Sequence, residues 1–487
     1  MAGIGFRLRR LVEDQGLVGF LTGYSAAAAI MAGPWIVTIL TVLGVALLGG
    51  DQLVFETYVT HVYQASLILA GFLQFPATRY LADLLYRQNY RAVFPAFTFT
   101  LVISLCCSTA VGLCWGLTTP GQDWTERVLA IALLNIITGQ WIALIFLVTV
   151  HNYLAIILAF TSGGILSVYS SSRYFGFNDT KTILFAYAGG QALTLLLLAG
   201  VLMREYPSYQ RWDNQALSWV LKKPSLPLAG GLFYIGVFAD KFTFRYCGAI
   251  SESRVSGVEV IAPWLYSSQP YEYLTFLAQL TIIPALAIFY IRVETGFFEV
   301  YKAFYKAIDE RKTLDELVGI KERIVIELKA GARSVGAGQA VVTLLCLLIA
   351  PELIPNHLLD NDDSNLLRAA IVASFFSILL LLIVVILLYF EFYNEACFLT
   401  LSFTILNFAL SLGSLYLPQV FLGWGSTLAA FLSLGLGAVV LWVRVNDLVY
   451  QTFCKAPVET ITQRTRGIPG VGRFRLQKER LSIDFED

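Results

Sequence analysis

Charge is what this sequence lacks most. Asp, Glu, Lys and Arg supply 14% of its 487 residues, against about 25% in an average soluble domain. Apolar and aromatic residues supply 57%. One water-soluble core cannot hide that much apolar surface, so the bilayer must be the solvent for most of the chain. This excludes a secreted enzyme, a cytosolic dinucleotide-binding protein and a nucleic-acid binder. Histidine is nearly missing, with only His61, His151 and His357 scattered along the chain. The seven cysteines (Cys106, Cys107, Cys114, Cys247, Cys346, Cys397 and Cys454) show neither metal nor redox spacing. Only Cys247 is expected outside the membrane on the external side, so neither a zinc site nor a structural disulfide is expected. There is no Walker A sequence, no His-Glu-x-x-His and no usable Ser-His-Asp arrangement. The chain is therefore expected to be no enzyme, to need no cofactor or metal, and not to hydrolyse ATP by itself.

What is present is a series of long apolar runs. A helix needs about 20 apolar residues to cross the hydrocarbon core, and about twelve such windows lie between residues 19 and 448. The run from Leu17 to Leu48 is far longer than the apolar region of a secretory signal, so it reads as an uncleaved first span. With a cytoplasmic N-terminus, 27 of the 34 basic residues fall on one side, which places both termini in the cytoplasm and requires an even number of spans. The expected organisation is an N-terminal amphipathic segment over 1–16, a first lobe of six spans over 17–203 and a linker over 204–225. A second lobe over 226–450 follows, containing a cytoplasmic amphipathic helix pair at 292–334, and then a basic tail over 451–487. Six spans per lobe would make the lobes parallel repeats with a substrate path between them. Local echoes support the repeat: Phe75-Pro76-Ala77 in span 2 matches Ile283-Pro284-Ala285 in span 8. Gly33-Pro34 in span 1 and Gly230-Gly231 and Gly236 in span 7 read as helix interruptions.

Ionisable residues inside spans are the most informative, since each costs about 2.5–3.5 kcal/mol at a helix centre. Asp240 and Lys241 lie about 21 Å into span 7, in its outer half. Adjacent helical residues cannot both face lipid favourably, so at least one should meet an aqueous cavity or a charged partner. Arg245 follows on the same segment. Arg79 and Asp83 are one turn apart in span 2 and are placed to pair along the helix, as an inner-interface anchor or a gate. Arg292 and Glu294 occupy the corresponding place after span 8. Glu391 and Glu395 mark a membrane edge. Gln64, Gln74, Asn135, Gln140 and Gln191 are hydrogen-bonding groups inside spans: helix-to-helix bonding explains each, and a sugar-binding lumen explains the set. Trp35 is placed to stack on a sugar ring or to belong to an interfacial belt.

Several strings carry a resemblance: Met1-Ala2-Gly3-Ile4-Gly5-Phe6 with Arg7-Leu8-Arg9-Arg10, Gly33-Pro34-Trp35, Thr78-Arg79-Tyr80-Leu81-Ala82-Asp83, Ala239-Asp240-Lys241-Phe242, and Arg292-Val293-Glu294-Thr295 with Phe297-Phe298-Glu299. With these the chain resembles the PelG family of Pel exopolysaccharide exporters from residue 1 to about 450. Phe242, Arg245 and the Arg-rich tail depart from the family pattern. The resemblance implies an all-α polytopic fold of the MATE/flippase type, with about twelve transmembrane helices in two six-helix lobes around a V-shaped cavity. It further implies export of an N-acetylhexosamine-rich exopolysaccharide chain for biofilm formation. The implied setting is a bacterial inner-membrane complex with a cytoplasmic glycosyltransferase, a cyclic-di-GMP receptor subunit and a repeat-containing membrane subunit, all among membrane lipids. An ion-coupled small-molecule antiporter with Asp240 as its cation site, and a non-transporting scaffold for a glycosyltransferase, remain open alternatives at this level.

Overall fold

A computed structural model describes residues 33–46, 52–118, 123–147, 153–171, 179–208, 212–213, 222–247, 258–262, 265–292, 296–353 and 361–454. The first lobe is built from α1 (Gly33–Ala46), α2 (Gln52–Tyr86), α3 (Val93–Thr118), α4 (Trp124–Leu147), α5 (Tyr153–Ser170) and α6 (Thr180–Glu205). The second opens with α7 (Ser225–Phe242), which runs on into a π-helical turn, Thr243–Cys247. A short antiparallel hairpin of β1 (Val258–Ala262) and β2 (Leu265–Ser268) follows. Then come α8 (Gln269–Leu280), α9 (Ile283–Arg292), α10 (Phe298–Asp309), α11 (Leu314–Leu353), α12 (Asn361–Tyr389), α13 (Tyr393–Ser414), α14 (Trp424–Asn446) and α15 (Leu448–Cys454).

Among the described residues, eight stretches are long and apolar enough to cross a membrane, and α1 and α5 contribute two shorter apolar helices. The polar-bearing α2 and α7 complete twelve positions, counting α8 and α9 as one broken span. Leu196, Leu348 and Val439 are more than half exposed, as expected of side chains whose solvent is lipid. Within the first lobe α4 packs on α2, α3 and α6, and α5 packs on α6. Within the second, α13 packs on α7 and α14, and α12 packs on α8 and α14. Each lobe has its own apolar core: Phe97 meets Phe146 at 5.7 Å in the first, and Phe297 meets Phe390 at 5.6 Å in the second.

The main seam between the lobes is α2 against α7. A Cβ on Gly230 would lie 2.1 Å from the carbonyl oxygen of Gly71, and one on Gly231 would enter the Phe72 ring at 2.4 Å. Small residues let two membrane helices approach closely enough for dispersion to hold them. The glycines expected to interrupt span 7 therefore leave α7 continuous and serve as its contact points. Gly236 plays the same part against Phe403 of α13, where an added Cβ would be 2.7 Å away.

The two proline echoes diverge. The α2 helix runs through Pro76 without a break. Span 8 breaks at Thr281-Ile282, where the Thr281 and Ile282 amides donate three residues back, to Ala278 and Gln279. Pro284 has no amide hydrogen to carry the helix across this point. Gln339 of α11 caps the break, donating from Nε2 to the Thr281 carbonyl at 2.9 Å. The amphipathic pair expected over 292–334 is also different: only α10 is separate, and the second run is the first part of the 40-residue α11. A reciprocal cap starts that helix, with Thr313 N–H donating to Glu316 Oε2 at 3.0 Å and Glu316 N–H donating to Thr313 Oγ1 at 3.4 Å. No proline follows before Pro351, so the helix has no reason to stop at the membrane surface.

The seam predicts an asymmetric response to glycine substitution. Gly230→Ala should destabilise the purified protein by about 1–3 kcal/mol through overpacking. Gly189→Ala, where an added Cβ meets nothing within 4 Å, should be neutral or slightly stabilising in a thermal melt.

Candidate functional site

At the end of α7 the chain passes from α-helix to π-helix, and the buried charges gather there. Asp240 and Lys241 are 4% and 5% exposed. Their charged atoms lie 3.6 Å apart, an ion-pair contact beyond hydrogen-bonding distance. Asp240 Oδ2 accepts a 2.6 Å hydrogen bond from the Tyr271 hydroxyl. Lys241 Nζ sits 5.7 Å from the Phe238 ring centroid and 3.4 Å from the Val237 carbonyl. Arg245, in the π turn, is wholly buried, and donates from Nε at 2.9 Å and from Nη2 at 2.5 Å to Glu272 Oε1. Ser268 Oγ donates to the same oxygen at 3.0 Å. Two consecutive residues of α8, Tyr271 and Glu272, thus hold Asp240 and Arg245. Two acids and two bases balance within the cluster, as burial demands.

The first lobe faces this cluster through α2. His61 accompanies Arg245 within electrostatic range, and its Nδ1 lies 2.8 Å from the Thr57 carbonyl, which assigns the proton to Nδ1 and leaves Nε2 as an acceptor. Gln64, 6% exposed, is one turn further along α2. Four buried atoms here have no hydrogen-bond partner among the described residues: His61 Nε2, Gln64 Oε1, Asp240 Oδ1 and Arg245 Nη1. Most buried polar groups are satisfied, so four such atoms on facing helices mark capacity held for something else.

At the opposite end of the seam, Arg79 of α2 forms an ion pair and hydrogen bond with Glu391, in the turn between α12 and α13. The expected helical pairing of Arg79 with Asp83 is replaced by this bond across the lobes. Glu391 sits in the left-handed region, at φ 61. Aromatic packing fixes the turn: the Tyr301 hydroxyl donates to the Tyr389 carbonyl at 3.0 Å, and Tyr301 lies 5.9 Å from Phe390. Burial pushes the Tyr301 and Tyr305 phenols up, so both stay neutral donors. Between the two ends, the Tyr234 hydroxyl of α7 donates to Gln74 Oε1 of α2 at 3.0 Å.

The remaining polar residues divide differently. Gln140 Nε2 donates to Gln191 Oε1 at 3.0 Å and to its carbonyl at 2.8 Å, joining α4 to α6. Asn135 Oδ1 accepts from Ser108 at 2.5 Å and Thr109 at 3.0 Å, joining α4 to α3. These three residues bond helix to helix within the first lobe and are not brought to the seam. Trp35 is half-buried on α1. Arg292 ends α9, while Glu294, the Met1–Arg10 string and the tail beyond Cys454 lie outside the described residues. Sequence reasoning missed Glu272, Tyr271 and His61. Glu272 was visible by the same rule that found Asp240, because it is an ionisable residue in the span-8 window.

Removing one member of a buried pair strands the other. Glu272→Gln should lower stability by about 3–5 kcal/mol by leaving Arg245 uncompensated, and Arg245→Met with Glu272→Leu should recover most of it. Thermal melts of the single and double variants check this.

The fold has solved counterparts. A MATE P26A mutant superposes with a TM-score of 0.62 at 14% identity, covering 91% of this chain and 99% of its own. An outward-facing multidrug resistance MATE family transporter of the MOP superfamily gives 0.61 at 13% identity, covering 91% and 98%. A MOP superfamily transporter from Pyrococcus furiosus gives 0.53 at 14% identity, covering 87% and 95%. No curated protein matches the chain in sequence. At these identities the structural likeness establishes the fold: a multi-pass membrane protein with the architecture of MATE transporters. Sequence carries the family itself, since residues 1–453 match the model of PelG, "Putative exopolysaccharide Exporter (EPS-E)", and the chain belongs to that family.

Proposed function

We propose that this chain exports an N-acetylhexosamine-rich exopolysaccharide of the Pel type, for biofilm formation, through the cleft that opens when α2 and α7 separate. The observation that carries the reading is the seam cluster at Asp240, Lys241, Arg245 and Glu272, with its unused acceptors and donor, in a chain of an exporter family. A sugar hydroxyl both donates and accepts, and an acetamide adds one donor and one acceptor. Such a polymer replaces the bonds lost as the lobes part, and it meets a set of charges that sums to zero. A neutral, internally balanced cluster holds a neutral polar chain without trapping it as a fixed charge would.

The bias of the basic residues supports putting the Arg79–Glu391 end of the seam, and both termini, on the cytoplasmic side of the membrane, in this reading the bacterial inner membrane. Polymer then enters where Arg79 and Glu391 part and leaves past Asp240 and Arg245. The partners in this reading are a cytoplasmic glycosyltransferase, a cyclic-di-GMP receptor subunit and a repeat-containing membrane subunit. Transport rather than catalysis is the chain's part in that assembly. The antiporter reading is weaker, because the Asp240 carboxylate already has the Lys241 ammonium beside it as counter-charge.

The variant with Asp240→Asn and Lys241→Met keeps the cluster neutral. It should lower secreted polymer at least about tenfold, the loss of roughly one charge-assisted hydrogen bond at the path. Export is measured as extracellular amino sugar, normalised to membrane-inserted protein, with drug sensitivity alongside. Unchanged export would remove these residues from the path. Altered drug sensitivity with normal export would turn the reading to the antiporter.

A further inference from the structure

The second lobe contains an apolar groove that the export path does not use. Its walls are α11 and α14, its floor is α12, and Phe289 and Phe297 close one side. The volume is about 280 Å³. Among the described residues that line it, Glu327 and Lys329 are the charged ones, and both are at one end. From Val445 at that end to Leu434 at the other, α14 runs about 16 Å. The groove is therefore elongated and apolar, a lining suited to a hydrocarbon chain.

Its mouth is built like a membrane interface. Lys329 Nζ lies 4.9 Å from the centroid of the half-exposed Trp442 ring. Arg333 is one turn further along α11, and both basic residues are exposed. The neighbouring Arg444 is already paired with Glu395 at 2.7 Å, and Lys321 donates to the Asn446 carbonyl at 3.2 Å. Lys329 and Arg333 are thus the exposed cations on the α11 side of the mouth, opposed by Glu327 within the groove. Beside the groove, Val439 and Val443 of α14 are exposed apolar side chains, a surface suited to lipid rather than to water.

We infer that this groove binds one acyl chain of an anionic phospholipid, whose phosphate is held between Lys329 and Arg333 with the Trp442 ring alongside. The charges match, the groove adjoins exposed apolar side chains of α14, and its charged lining lies at one end. The site also touches the seam indirectly. Phe297 lines the groove and packs 5.7 Å from Tyr389 and 5.6 Å from Phe390, the two residues before Glu391. A lipid in the groove therefore supports the turn that holds Arg79. This inference is independent of what the seam transports.

The test titrates phosphatidylglycerol or phosphatidylcholine into the delipidated full-length protein in detergent. Retained lipid is counted by native mass spectrometry, and the thermal midpoint is followed in parallel. Phosphatidylglycerol should be retained at one molecule per chain and raise the midpoint, and phosphatidylcholine should do neither. Lys329→Glu with Arg333→Glu should weaken retention at least about thirtyfold, from two charge contacts. Ala438→Phe, which fills the groove and keeps both charges, should abolish it. Equal retention of the two lipids, or phosphatidylglycerol retention unchanged in both variants, would overturn the site. Displacement of phosphatidylglycerol by polyprenyl phosphate or by a peptide of residues 455–487 would overturn the phospholipid assignment.

Discussion

An ion in hydrocarbon has to be paired, and this requirement organises the molecule. Along the seam, among the described residues, paired charges gather in two places: the Asp240–Lys241 and Arg245–Glu272 cluster at one end, and the Arg79–Glu391 bond at the other. Between them lie the glycine contact of Gly71 with Gly230 and one tyrosine–glutamine hydrogen bond. The seam is thus polar at both ends and closely packed in the middle. Such a seam parts in discrete steps, because each end keeps its cost until its partners are exchanged for others. The π turn after α7 serves this arrangement: it brings Arg245 to Glu272, the residue after the Tyr271 that holds Asp240.

The lobes answer the same constraint in their backbones. Where span 8 breaks, Gln339 supplies the hydrogen bond that the helix no longer makes. Where α11 meets the membrane surface it continues, so that one rigid helix joins the amphipathic region to the lipid-facing wall of the groove. The turn carrying Glu391 is fixed by α10 through Tyr301 and Phe297. The Arg79–Glu391 end of the seam is therefore held from behind by α10, whose Tyr301 also lies within electrostatic range of Arg79.

Much of this was legible in the sequence, for physical reasons that differ from residue to residue. Asp240, Lys241 and Arg245 stood out because charge in an apolar run is expensive wherever it lies. Span number and lobe count followed from length and hydropathy. The partner of Arg79 did not follow: Asp83 satisfied the local helical rule, while Glu391 is 312 residues away, and only the fold brings it near. Gln140, Gln191 and Asn135 were ambiguous because an amide inside a span bonds a neighbouring helix as readily as a ligand. The proline echo misled in part, since Pro76 and Pro284 share a local sequence but only one has a broken helix around it. His61 counted only as one of three scattered histidines, because its place within electrostatic range of Arg245 depends on the fold.

The central claim is that the α2–α7 seam must open for the chain to work. Gln74→Cys and Tyr234→Cys, bridged by a short bis-maleimide in a background lacking the other cysteines, would tie the lobes together at their midpoint. Export should stop in bridged protein and persist when either cysteine alone is modified. Undiminished polymer export from protein shown to be fully bridged would contradict the account.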